Sequence, residues 1–309
     1  MWTESCIERR VNPPINPPIN PPTSVVTVSG DHQHYLPAAL IGGFGIARAG
    51  KPLRKAQIVV RELASGEVHR AAAEDVAHRP ALYRLLAPGS GVDADIVDKL
   101  WTPVERDLPA MVARLEATAL EGDDPEKWIR YAAMAGVRHP TAFHTLALHH
   151  QQSRGEPEPV GDQLQVMRVA ALVNGQKEMH RWRWRVLHSS SDGPRFVLSD
   201  RGWNIVREPS HDMQGVWLPV GPRVGILGYR DDCRLPPRSE PFAEHRELTL
   251  SWAEWLNATA FSDTTITHAV FAHPDDEQRL RDAVEADDLQ VTELGPYRSL
   301  HWRAATLFD

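Results

Sequence analysis

The chain has 309 residues, 42% hydrophobic and 24% charged, enough for a sizeable core in one large domain or two modest ones. With 34 basic and 41 acidic residues its net charge is -7, which excludes a bulk polyanion binder but leaves room for a local basic patch. There is no run of about 18 apolar residues to span a membrane, Met1–Arg10 lacks a signal-peptide stretch, and Cys6 and Cys233 alone argue against a structural disulfide, so the expected address is the cytoplasm.

Residues 11–22 read VNPPINPPINPP. Repeated proline removes amide donors and fixes φ, so residues 1–23 are expected to form a disordered, Pro-rich tail, a spacer or a ligand for an aromatic groove. Folded sequence is expected from residue 24, as one domain over 24–309, with strand composition at Val25–Val28. Gln57–Leu63 and Val68–Ala72 read as a β-hairpin around Ala64-Ser65-Gly66-Glu67. Glu74–Leu86 is ambiguous because of Pro80.

Residues 93–152 have helical periodicity. Asp93 caps a first helix, Thr102-Pro103 starts a second that Pro109 should kink or break, and Asp124-Pro125 opens a third. The third presents Trp128, Tyr131, Ala132 and Ala135 on one side and is interrupted by Pro140, after which Thr141–Gln152 continues as helix. Leu164–Met179 is one more helix. From residue 180 the period is two. Strands are expected at 180–187, at Arg195–Val206 with a break at Gly202, and at Val216–Val220 and Val224–Tyr229. Helix returns over Leu248–Phe261 and Asp275–Ala286, with strands at Ile266–Phe271 and Tyr297–Leu307. The fold class expected is α+β, a mostly antiparallel sheet packed with a helical middle segment.

Four motifs stand out: His34-Tyr35-Leu36-Pro37, Arg138-His139-Pro140, Phe196-Val197-Leu198-Ser199-Asp200 and Leu218-Pro219-Val220-Gly221-Pro222. In this order they resemble a bacterial family catalogued as a domain of unknown function, number forty-two thirty-eight. Its pattern has His-Tyr-Val-Pro, Arg-x-Pro, Ser-Asp-Asn-Pro and Pro-Leu-Ser-Pro. Glu105 with Pro109, Trp184 and the late-helix Asn257 extend the likeness, over roughly residues 32–275. Two departures matter: Arg201-Gly202 stands for Asn-Pro, and Val220-Gly221 for Leu-Ser. The resemblance implies a bacterial intracellular protein and names neither reaction nor cofactor.

The residues themselves offer chemistry and a plainer alternative at each position. His34 is a candidate acid or base, or an imidazole bonded to backbone; with His32 it can offer two imidazoles to a metal, although no carboxylate or cysteine is spaced to complete a site. Arg138 can hold an anion, or fill the gap that Pro140 leaves in the helix ladder. Asp200 can orient His34, while Ser199 and Tyr35 are candidate binding groups; alternatively Ser199-Asp200 caps a turn. Arg181, Arg183 and Arg185 share one strand face and Trp182 and Trp184 the other, so the arginines form either an ordinary solvent face or a stripe for phosphates. Two functions follow. One is a hydrolase of nuclease or phosphodiesterase type on an anionic, nucleic-acid-like substrate, with His34, Arg138 and Asp200 in one pocket. The other is a non-catalytic binding or regulatory protein using the arginine strand or the proline-rich tail.

Overall fold

In the segment Gln57-Ile58-Val59-Val60-Arg61, β-branched residues leave an extended backbone as the unstrained choice. In a computed structural model of the chain this segment is the spine of a four-stranded sheet. The structure describes residues 33–155, 157, 159–208, 213–230, 242, 244–261 and 267–285. The tail, the 23/24 boundary, the Val25–Val28 strand, His32 and the Tyr297–Leu307 strand lie outside them.

The elements in chain order are β1 (Gln33–His34), α1 (Ala38–Gly43), β2 (Gln57–Glu62), β3 (Val68–Ala72), β4 (His78–Arg79), α2 (Ile96–Lys99), α3 (Thr102–Glu116), α4 (Asp124–Arg138), α5 (Pro140–Ser153) and α6 (Asp162–Met179). They continue with β5 (Trp182–Ser189), β6 (Leu198–Ser199), β7 (Asn204–Glu208), β8 (Met213–Pro219), β9 (Val224–Arg230), β10 (Glu244–Leu248), α7 (Leu250–Ala258), β11 (Ala269–Ala272) and α8 (Glu277–Glu285). The fold is α+β. One sheet has the order β3-β2-β11-β6, a second β10-β5-β9-β8-β7, and β1 pairs with β4 apart from both. Every pairing is antiparallel except β10 with β5.

The β2–β3 hairpin forms where its sequence pattern places it. Three other segments differ from expectation, each for a local reason. α3 runs through Pro109 as one helix. Pro109 is exposed, so the carbonyl that loses its donor lies on the solvent side, where water can satisfy it. Asp124 does not cap α4 from outside. It is the buried first residue of the helix, and both its carboxylate oxygens accept from Arg114, at 2.6 and 2.5 Å. The 195–206 stretch does not stay in one sheet: β6 joins β11, and after the turn at Gly202 β7 joins β8.

The two faces of β2 separate two cores. Ile58 and Val60 look into the main core, shared with α1, α3, α4 and the five-stranded sheet. Val59 looks the other way, with Val68, Val197, Val270 and Ala272, against Ala260 and Leu280 of α8. Among the described residues no helix is long and apolar enough to cross a membrane.

At the β5–β10 edge His188 Nε2 lies 3.0 Å from His245 Nδ1, one imidazole donating to the other. Burial lowers the pKa of both rings; His245 beside it lowers that of His188 further, against a smaller opposing effect of Glu247. Burial likewise lowers His34 and His273. An unfolded imidazole takes up its proton near pH 6.5, the folded ones only at lower pH. Between those limits the unfolded state binds more protons, so stability should be full above about pH 6.5 and fall as the medium is acidified below it. Denaturant midpoints measured from pH 8 down to pH 5 check this, and the decline should be shallower in His188→Gln/His245→Gln. An equal or steeper decline in that double variant would show that the pair does not contribute.

Candidate active site

Three of the four sequence motifs meet at the seam between α4, α5, β1 and the β6–β7 turn. The reason begins at Pro140, which ends α4 at Arg138 and leaves His139 extended, at φ −62° and ψ 125°, before α5 starts. The break strands two helix carbonyls in the core. Arg168 of α6 donates to the carbonyls of Val137 and Arg138, and the Tyr83 hydroxyl donates to that of Arg138 at 2.9 Å. The gap is therefore filled by Arg168, not by Arg138. The Arg168 guanidinium lies 4.5 Å from the Phe143 ring centre and 5.0 Å from that of Tyr83, and burial pulls its pKa down to about 10.

Arg138 points away from the break. It is 2% exposed, pairs with Glu105 of α3 and donates to the main-chain oxygen of His34. Tyr83 and Trp101 flank it, with centroid distances of 5.8 and 5.5 Å. Burial works to lower its pKa, but Glu105 and Tyr83 outweigh it and hold the guanidinium firmly charged. Glu105 thus neutralises this arginine.

His34 and Asp200 each have a different partner from the one expected. The His34 ring bonds the Glu74 carbonyl at 3.1 Å and packs edge-on to His78. Asp200 is buried at the end of β6, anchored by its own amide on the Ala269 carbonyl at 2.9 Å. Its carboxylate accepts the His268 backbone N–H at 3.2 and 3.3 Å, and Oδ2 lies 3.2 Å from His139 Nε2. A carboxylate oxygen accepts, so this contact places a hydrogen on His139 Nε2. The imidazole that Asp200 orients is that of His139, the middle residue of Arg138-His139-Pro140.

Around this pair stand five partly or fully exposed side chains. The half-buried Tyr35 ring packs edge-on to His139 at 4.9 Å. Burial, then Asp200, raises its phenol pKa well above the usual range, while Arg79 on the exposed rim opposes. His268 lies 5.6 Å from His139 between ring centres, and its Nε2 is 3.0 Å from Thr141 Oγ1. Glu62, at the end of β2 and in register with Ala269, has its pKa raised by burial and by Asp200, and lowered by His69 and His268. Among the described residues no group of three or more His, Cys, Asp or Glu is placed to hold a metal ion.

The remaining motif residues are largely architectural. Ser199 is buried, and its hydroxyl donates to the Trp203 carbonyl at 3.3 Å across the turn. Gly202 closes that turn at φ +76°, and a Cβ there would come within 2.7 Å of Leu36. A proline could not take that φ. Asn257 accepts from the Val197 amide at 2.8 Å and donates to the Arg195 carbonyl at 2.9 Å, clamping the chain into β6. Val220 and Gly221 form the β8–β9 turn, both amides donating to the Val224 carbonyl.

The arginine stripe is a correction. Both faces of β5 are covered, so alternation does not set the arginines free. Arg185 is 3% exposed, paired with Glu244 and lying against Tyr229. Arg183 is half-buried and bonds the Tyr229 hydroxyl. Arg181 is exposed and 3.7 Å from Glu178.

Residues 32–276 match a family model described as "Protein of unknown function (DUF4238)". The chain belongs to this family. No curated protein and no solved structure matches it. The buried charges found here, Glu105 with Arg138 and Asp200 with His139, lie inside the matched segment of the DUF4238 protein, as does the clamp at Asn257. Sequence reasoning passed over His139, Glu62 and His268. A signal for His139 was present: an imidazole between a helix end and a proline is held in an extended conformation that turns it off the helix.

Proposed function

We propose that this DUF4238 protein is a hydrolase whose proton-transfer pair is His139 and Asp200. One observation carries the reading: a carboxylate that accepts the His268 backbone N–H holds an imidazole at 3.2 Å, where three separated motifs converge. Asp200 sets the tautomer of His139, and the imidazole takes a proton from water or a substrate hydroxyl and returns it to the leaving group. Tyr35 packs against His139, Thr141 bonds His268, and the exposed Arg79, close enough to act on Tyr35, would be the cation that meets an anionic, phosphodiester-type group. His34 and Arg138 have structural roles here. The ring of His34 is spent on the Glu74 carbonyl and the charge of Arg138 on Glu105.

A second reading is favoured by one fact: the His139 and Asp200 side chains are each 1% exposed, as befits an internal polar strut of a binding protein. A panel of phosphomonoester, phosphodiester and nucleic-acid substrates separates the two. The wild type should turn over a phosphodiester, and His139→Ala should lose activity by about 10²–10⁴-fold, the usual worth of a positioned acid or base. Asp200→Asn should lose a comparable factor at unchanged melting temperature, while His34→Ala stays near wild type. Absence of turnover leaves the non-catalytic reading in its place, and full activity in a folded His139→Ala protein removes the His139–Asp200 pair from the catalytic machinery.

A further inference from the structure

α6 has apolar residues on two sides. The inner side buries Gln165, Arg168, Leu172 and Gly175, with α4 and α5 as neighbours. On the outer side Val166 and Val173 are 66% and 45% exposed, and Ala170 between them is exposed too. Steps of four and then three residues put all three on one face of the helix. At its N-terminal end Leu86 and Val160 are 77% and 69% exposed. Leu86 is held beside the helix start because the Asp162 carboxylate accepts the Leu86 and Ala87 amides, at 2.6 and 2.8 Å. Half of the exposed large apolar side chains among the described residues thus lie on or beside this one helix.

We infer that this face pairs with α6 of a second copy of the chain, antiparallel about a two-fold axis near residues 169–170. A two-fold contact needs a self-complementary patch, and the order of residues along α6 supplies one. Antiparallel pairing about that point sets Val166 of each copy against Val173 of the other. Ala170 falls close to the axis, where a small side chain lets the helices approach. The face has an acid at its start, Asp162, and a base near its end, Lys177. Antiparallel pairing brings these opposite charges together twice, whereas parallel pairing sets like against like. The pairing is independent of the hydrolytic reading, because neither His139 nor Asp200 lies on this helix.

One helix pair is smaller than a standard interface, so the dimer should be weak, with a dissociation constant on the order of 10 μM. Sedimentation velocity on the full chain from about 1 to 200 μM should show a rise from monomer to dimer across that midpoint. Val166→Glu should keep the protein monomeric throughout with an unchanged melting temperature, and Lys177→Glu should weaken association. With Cys6 and Cys233 changed to serine, mixed Val166→Cys and Val173→Cys proteins should cross-link to each other faster than either does to itself. A wild type that stays monomeric at every concentration overturns the inference, as does a dimer indifferent to Val166→Glu. Faster self-linking of the two cysteine variants overturns the antiparallel arrangement.

Discussion

Trp184→Ala should cost about 3–5 kcal/mol of stability, the range for emptying a buried aromatic site. Trp184 is 2% exposed. Its ring covers Gly228 on the neighbouring strand so closely that a Cβ there would come 2.4 Å from it. It stacks on Phe242 and Trp182, at centroid distances of 5.4 and 6.0 Å, and its Nε1 donates to the Met179 carbonyl at 3.0 Å. Alanine leaves a cavity floored by glycine, which has no side chain to move in, and a helix-end carbonyl without its donor. Arg183→Ala on the other face should cost about 1 kcal/mol, the worth of one hydrogen bond to Tyr229 with some packing. Urea titrations of both variants give the two numbers, and an arginine variant weaker than the tryptophan variant would mean the faces of β5 are assigned the wrong way round.

Arg138→Met should destabilise by about 2–4 kcal/mol even though the stem volume is kept. The substitution leaves Glu105 without its cation and the His34 carbonyl without its donor, beside Tyr83 and Trp101. The range lies somewhat below that for a fully buried pair because Glu105 is 31% exposed and water partly screens it. Glu105→Gln in the same chain should recover part of the loss, because the uncompensated charge is then gone, and the two effects should be clearly non-additive. A double variant whose cost equals the sum of the single ones would show that the pair does not act as a unit.

Local rules made much of this fold readable. The β2–β3 hairpin follows from two strand-rich runs around a short polar loop containing Gly66. α3 and α4 begin where proline occupies an early helical position, and α4 ends where Pro140 withholds a donor. The alternation over residues 180–187 points to β5, which forms at Trp182–Ser189. Each of these rests on interactions within a few residues, which the order of side chains specifies directly. β10 was missed because Glu244–Leu248 is a short edge strand of mainly charged residues, with no apolar period to show it.

The candidate site divides along the same line. The residue types and the places where the chain must break helix or strand, at His34, Pro140 and Ser199-Asp200, were legible in the sequence. Which imidazole Asp200 holds was not: His139 lies 61 residues from it, and no periodicity relates the two. That choice, like the partner of Arg138 and the covering of Arg185, was made by the packing of α3, α6 and two sheets. Buried charges must be matched across the core, and only the tertiary structure decides which opposite charge or polar group lies within reach.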